Sequence, residues 1–131
     1  MEKRAFDPTP WLNHFNMHHG IEVTGAQRTL YLSGQTASAA DGSAMFPGDI
    51  NAQFRAAWKN LKDVLADAGM TPENIVRLNI YTTDVDAFMG AAADLIPVFA
   101  GDGCKPVSTL LGVARLYDPA ILIEIEATAV A

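Results

Sequence analysis

Three things are scarce in this sequence, and each scarcity excludes something. Cys104 is the single cysteine in 131 residues, so no intrachain disulfide can form, and a reducing compartment, the cytoplasm, is the expected location. Positive charge is short: nine Lys and Arg stand against fifteen Asp and Glu, a net charge of −6. No basic run reverses that sign locally, so phosphate backbones and anionic lipid are repelled and nucleic acid is not an expected partner. Long apolar runs are missing, and none follows the two basic residues near the start; neither a membrane anchor nor a secretory signal is expected. What is present is globular, half of it apolar and 18% charged. The length fits one domain over residues 1–131 that buries roughly two-thirds of its unfolded surface.

Ile21–Val23 and Thr29–Ser33 have the composition of short strands, and Gly25 between them suits a hairpin, so an antiparallel pair is expected. Ser38 to Gly48, rich in Gly, Ala, Ser and Asp, predicts a surface loop. From Ile50 the stripe Phe54, Ala57, Trp58, Leu61, Val64, Leu65 and Ala68 predicts an amphipathic helix, with Asp49 as N-cap and Gly69 as stop. Ile75–Tyr81 alternates Val76, Leu78 and Ile80 against Arg77, Asn79 and Tyr81, the period of a half-buried strand. Phe88, Ala92, Leu95, Ile96 and Phe99 define a second helix, opened by Asp84 or Asp86, with Pro97 in its last turn. Two strands, Ser108–Leu116 and Ala120–Val130, close the chain around a tight connection at Tyr117-Asp118-Pro119. The order β-β-α-β-α-β-β predicts an α+β domain, a mixed sheet with two helices on one face.

That leaves one sheet face without helices. In the last strand Ile121, Ile123, Ile125, Ala127 and Ala129 point under the helices, while Leu122, Glu124, Glu126, Thr128 and Val130 point the other way. The bare face also carries Tyr31, Arg77, Asn79 and Tyr81. It is either solvated surface or an oligomer interface in which Arg77 pairs with Glu124 or Glu126.

Five segments carry a resemblance: Leu32-Ser33-Gly34-Gln35-Thr36, the helix with Leu61 and Gly69, Tyr81-Thr82-Thr83-Asp84-Val85, Gly112-Val113-Ala114-Arg115-Leu116, and Ile123-Glu124-Ile125-Glu126-Ala127. In order and spacing they resemble the Rid (YjgF) family over residues 20 to 131. The resemblance implies a chorismate-mutase-like subunit, a homotrimer with sheets facing inward, and clefts at the subunit boundaries near which the N-terminal extension, residues 1–19, packs. It implies hydrolysis of reactive enamines or imines to a carbonyl product and ammonia, with no metal or organic cofactor. The ligand is then a small metabolite, carboxylate-bearing in the family. Glu124 matches the Glu that orients the water, unless it serves instead in an interface ion pair. Ser33 and Gly34 match the cleft-lining turn.

The sequence departs from the family where the substrate carboxylate is anchored. Two residues after Pro106, where deaminases of the main subgroup carry an Arg, stands Ser108; losing that charge-assisted contact weakens binding roughly tenfold to a hundredfold. Arg115 lies seven residues further along, about 23 Å at ~3.3 Å per residue, too far to substitute. Lys105 offers a nearer cation, and Ser108 and Thr109 are candidate substrate contacts. Met17, His18 and His19 stand where the family has a Tyr, and Ala92 where it has an Asn. His14 and His18 are spaced for a metal pair if helical, yet no nearby acid completes a shell; His19 is the imidazole expected at the cleft. Trp58 and Met70 are assigned to packing. The functional candidates are an imine or enamine deaminase and a non-catalytic metabolite-binding protein using the same clefts. An endoribonuclease, attributed to some relatives, conflicts with the acidic charge.

Overall fold

The computed structural model describes all 131 residues. Helix α1 spans Ile50–Asp67, and its Asp49 carboxylate accepts the Ala52 N–H at 3.0 Å. Its stripe of Phe54, Ala57, Trp58, Leu61 and Leu65 is buried, and Gly69, at φ 70°, turns the chain out in the left-handed region that glycine tolerates. Helix α2 spans Val85–Ala100, and Asp84, rather than Asp86, caps it by accepting from Ala87 N at 2.9 Å. Pro97 sits in the last turn, yet the helix continues to Ala100 and Gly101 N bonds back to the Pro97 carbonyl at 2.8 Å.

Six strands are formed: β1 (Glu2–Phe6), β2 (Gly20–Thr24), β3 (Thr29–Gln35), β4 (Ile75–Thr82), β5 (Leu110–Gly112) and β6 (Ile123–Val130). The main sheet has the order β3-β6-β4-β5, with β6 antiparallel to both neighbours and β5 parallel to β4 through the α2 crossover. Both helices cover one face, as the element pattern implied. Beneath them Leu78, Ile80, Ile123, Ile125, Ala127 and Ala129 pack on Phe54, Leu61, Phe88, Leu95 and Phe99 in one core, each large side chain contributing about 1.5–3 kcal/mol by burial.

Three expectations need correction. Strand β2 does not pair with β3; it pairs antiparallel with β1 in a separate two-stranded ribbon. The reason lies in residues 25–28. Gln27 and Arg28 both donate their N–H to the Ala131 carbonyl at 2.9 Å, which carries the chain to the C-terminus and docks β3 on β6. Second, Ile75 rather than Val76 enters the core at the start of β4. Ile75 pairs with Ala129 and Arg77 with Thr128, so Val76 is the extra residue of a β-bulge. Third, the two last strands are shorter than their composition suggests and are not neighbours, because β4 lies between β6 and β5. Past Gly112 the chain outruns the end of β4, and Leu122 donates its N–H to a side chain, Gln53 Oε1, at 2.8 Å.

Gln53 is fully buried on the core face of α1 and no polar atom of it is idle. Its Nε2 donates to the carbonyls of Ala120 at 2.7 Å and of Met45 and Phe46 at 3.2 Å. One amide therefore holds the loop before α1 and the segment before β6 together. Gln53→Leu leaves these part-buried backbone groups without their partner and is expected to cost about 2–3 kcal/mol, measured by denaturant unfolding with helical content unchanged.

Candidate functional site

Strand β3 reaches Gln35 by adding one residue. Leu32 pairs with Ala127 and Gln35 with Ile125, so Ser33 and Gly34 together oppose the single residue Glu126, a second β-bulge against β6. Both are exposed. The Glu124 side chain lies directly over Gly34: a Cβ added there would meet its carboxyl carbon at 2.7 Å. Only glycine leaves room for that carboxylate to rest on the backbone.

Glu126 lies two residues on, along the same face. Register places Asn79 opposite Glu126 and Tyr81 opposite Glu124. The Tyr81 hydroxyl crosses the diagonal to donate a short hydrogen bond to Glu126 Oε1, and Asn79 Nδ2 approaches the same oxygen at 3.4 Å. Asn79 Oδ1 in turn accepts the Thr109 N–H at 3.2 Å. Within one chain Arg77 is not their partner. It stands opposite Thr128, is exposed, and pairs with neither carboxylate within the chain. Glu124, whose oxygens take no hydrogen bond from the chain, has its carboxyl held above the usual range, first by partial burial and then by the charge of Glu126. The hydrogen bond to Glu126, with burial, holds the Tyr81 phenol above its ordinary value. The result is one carboxylate committed to Tyr81 and one open to a ligand.

The other residues singled out from the sequence lie elsewhere. Ser108 is on the helix-covered side of the sheet, where its hydroxyl donates a short hydrogen bond to the Leu78 carbonyl. It lines a cavity of about 250 Å³ walled by Trp11, Phe15, Phe88, Met89 and Leu110. Thr109, the next residue, is exposed and bonded to Asn79, so it shares the carboxylate face. Lys105 donates to Asn13 Oδ1 at 3.1 Å and borders a separate hollow with Lys3, His18 and Glu73; the structure does not bring it to the cavity of Ser108. His19 Nε2 lies 3.1 Å from Thr9 Oγ1 and its ring meets Trp11, one of the cavity's walls, edge-on at 6.1 Å. His18 Nδ1 is 2.7 Å from Asp7 Oδ2, and Asp7 Oδ1 accepts the His19 N–H at 2.8 Å. These contacts, the backbone bond first, hold the Asp7 carboxyl below its ordinary value. Cys104 is buried, and desolvation pushes its thiol up to about 12, so it is protonated and unreactive at neutral pH. No helix is long and apolar enough to cross a membrane.

Neither the Tyr81–Glu126 bond nor the aromatic cavity walls leave a local signature in the sequence. Alternation put Asn79 and Tyr81 on the right face, but which cross-strand residue each meets depends on the bulge at Val76.

Fold and site together define an α+β domain in which a carboxylate rests on a Ser-Gly bulge, on a sheet face that the helices leave bare. Residues 16–131 match the protein family described as Endoribonuclease L-PSP, and the chain belongs to that family. It is similar to mouse 2-iminobutanoate/2-iminopropanoate deaminase, with 30% identity over 109 residues, 83% of this chain and 78% of the mouse protein. Its fold matches that of YyfB from Yersinia pestis, described as a protein of unknown function of the conserved Rid family, with TM-score 0.87, 34% identity and full coverage of both chains. It also matches E. coli TdcF with bound serine, with TM-score 0.69, 25% identity and 84% of each chain covered. The chorismate-mutase-like fold of that family is thus the fold of this chain.

Two outcomes follow from the geometry. Gly34→Ala displaces the free end of the Glu124 side chain, so it is expected to cost less than about 1 kcal/mol of stability while moving the carboxylate, seen as a changed Glu124 titration by NMR. A folded carboxyl with a raised pKa binds its proton more tightly than the unfolded chain does. Its ionisation therefore costs folding stability, a cost absent below the unfolded value and complete above the raised one. Glu124→Gln is expected to raise the Tm relative to wild type at neutral pH and to leave it unchanged in acid below both values.

Proposed function

We propose that this chain is an imine or enamine deaminase that works as a homotrimer, in a subgroup of the family that lacks the carboxylate-binding Arg. The observation that carries this reading is the Glu124 carboxylate, uncommitted, over the Gly34 bulge, in a family that includes the mouse imine deaminase. Its raised proton affinity suits a group that must take and return a proton near neutral pH.

The reaction asks little of the protein. Once its nitrogen is protonated, an imine carbon is electrophilic. Glu124 accepts a proton from a bound water as the water oxygen bonds to that carbon, giving a carbinolamine. The carboxyl then returns the proton to nitrogen and the C–N bond breaks; ammonia leaves as the carbonyl forms, and the carbinolamine O–H proton passes to the Glu124 carboxylate and on to solvent, balancing the proton that first activated the imine nitrogen. Imine and water become carbonyl and ammonia, with nothing oxidised or reduced.

The trimer reading rests on the two faces of the sheet. Glu124 projects from the bare face and Ser108 from the helix side, so one chain cannot offer both to one small ligand. A neighbouring copy, seated on the face that exposes Tyr31 at 79%, supplies the missing half. Ser33, Gly34 and Thr109, all exposed, are available as substrate contacts at such a boundary, and so is His19 beside Trp11. A binding protein without turnover is the second reading, favoured by the absence of a cation at Ser108 and by the serine-bound E. coli relative. Ribonuclease activity is not proposed, because the charge of −6 repels a phosphate backbone.

The test generates 2-aminoacrylate and imines from several amino acids and follows ammonia release. Wild type is expected to accelerate hydrolysis, and Glu124→Ala to lose about a hundredfold or more of that acceleration. Sedimentation is expected to give three times the chain mass. Equal rates with and without protein across the panel, while ligands still bind, would transfer the assignment to the second reading.

A further inference from the structure

The cavity beside Ser108 has walls that say what it holds. It encloses about 250 Å³, and Ser108 is the single polar residue among those lining it. That hydroxyl is already spent as a donor to the Leu78 carbonyl, so its oxygen retains only acceptor capacity. A carboxylate also only accepts. Placed here it would lose its hydration and meet no cation and no donor side chain but the neutral Trp11 indole N–H, a costly transfer. An apolar group gains from the same walls, and an N–H beside it finds the Ser108 oxygen.

The cavity is held open by its own hydrogen bonds. One wall is the single-turn 3-10 segment Trp11–Phe15, where Trp11 and Phe15 meet edge to face at 6.2 Å. Asn16 follows in the left-handed region at φ 53° and donates Nδ2 to the Cys104 carbonyl at 2.8 Å. His18 N donates to the Pro106 carbonyl at 2.9 Å, and Lys105 Nζ to Asn13 Oδ1 at 3.1 Å. The segment is thereby tied to the stretch leading into β5, opposite Phe88 of α2. Its mouth is open: Trp11 is 56% and Met89 46% exposed. An apolar cavity of about 150 Å³ suffices for benzene in another protein, so this one has room for a phenyl ring or a branched aliphatic group.

We infer that this cavity is the specificity pocket of the site and that it selects imines or enamines bearing an uncharged phenyl or branched aliphatic substituent. The inference rests on the deaminase reading, of which it names the substrate class. The pocket itself is testable without turnover.

Calorimetry on the full chain with phenylacetamide, phenylacetate and acetamide provides the test. Phenylacetamide is expected to bind about ten- to a hundredfold more tightly than acetamide, the gain from burying a phenyl group, and more tightly than phenylacetate, with a change in Trp11 fluorescence. Met89→Lys, at an exposed rim position, is expected to reverse the preference toward phenylacetate, and Trp11→Ala to weaken phenylacetamide alone. Equal binding of phenylacetamide and acetamide would overturn the pocket, as would tighter binding of the carboxylate; a neighbouring copy's side chain filling the cavity would give the first result. Phenylacetamide binding with no imine hydrolysed removes the deaminase reading and keeps the pocket. Hydrolysis of small imino acids without phenylacetamide binding does the reverse.

Discussion

Strand β6 is hydrogen-bonded along both edges, by β3 and by β4, and so its two faces cannot be exchanged without breaking two ladders at once. One face is a row of Ile and Ala in the core, the other carries Glu124 and Glu126. A slip of one residue against either neighbour would drive both carboxylates under the helices. The cost of burying unpaired charge, set against about 1.5–3 kcal/mol for each Ile taken from the core, leaves one register. The site inherits its precision from that choice.

Within that register the neighbours of β6 are not regular. Each carries a bulge: Ser33-Gly34 on β3, and Val76 on β4. The first creates the bare backbone on which Glu124 rests. The second sets Asn79 and Tyr81 against the carboxylates and leaves Arg77 against Thr128. Two like charges on one face repel, and the chain answers by giving Glu126 a phenol and an amide while Glu124 keeps its proton more readily. The asymmetry between two otherwise equivalent glutamates is therefore a product of pairing geometry.

The helix side of the sheet has a different character. Family membership and fold are retained over almost the whole chain, but the cavity near Ser108 is apolar, and one of its walls, Trp11–Phe15, precedes the residues that match the family. Residues 1–6 have no buried side chain and are held by the pairing of β1 with β2.

Periodicity determined the two helices and their caps, the loop before α1, the inward row of β6, the bare sheet face and the α+β class, because each is written in residues a few positions apart. The motif series pointed to the family and to Glu124 and Gly34. Tertiary structure decided what depends on residues distant in the chain. Strand β1, exposed along its length, has no alternation to read. The antiparallel hairpin expected of β2 and β3 gave way to the hydrogen bonds of Gln27 and Arg28 to Ala131. Within the chain Glu126 is met by Tyr81 because the extra residue at Val76 sets Arg77 opposite Thr128 and keeps Asn79 and Tyr81 on the carboxylate face, and Gln53, a polar residue in an apolar stripe, became a buried clasp only because three carbonyls and one N–H from distant segments converge on it. Local pattern fixes which way a side chain points; what it meets there is set by chain paths that no local pattern contains.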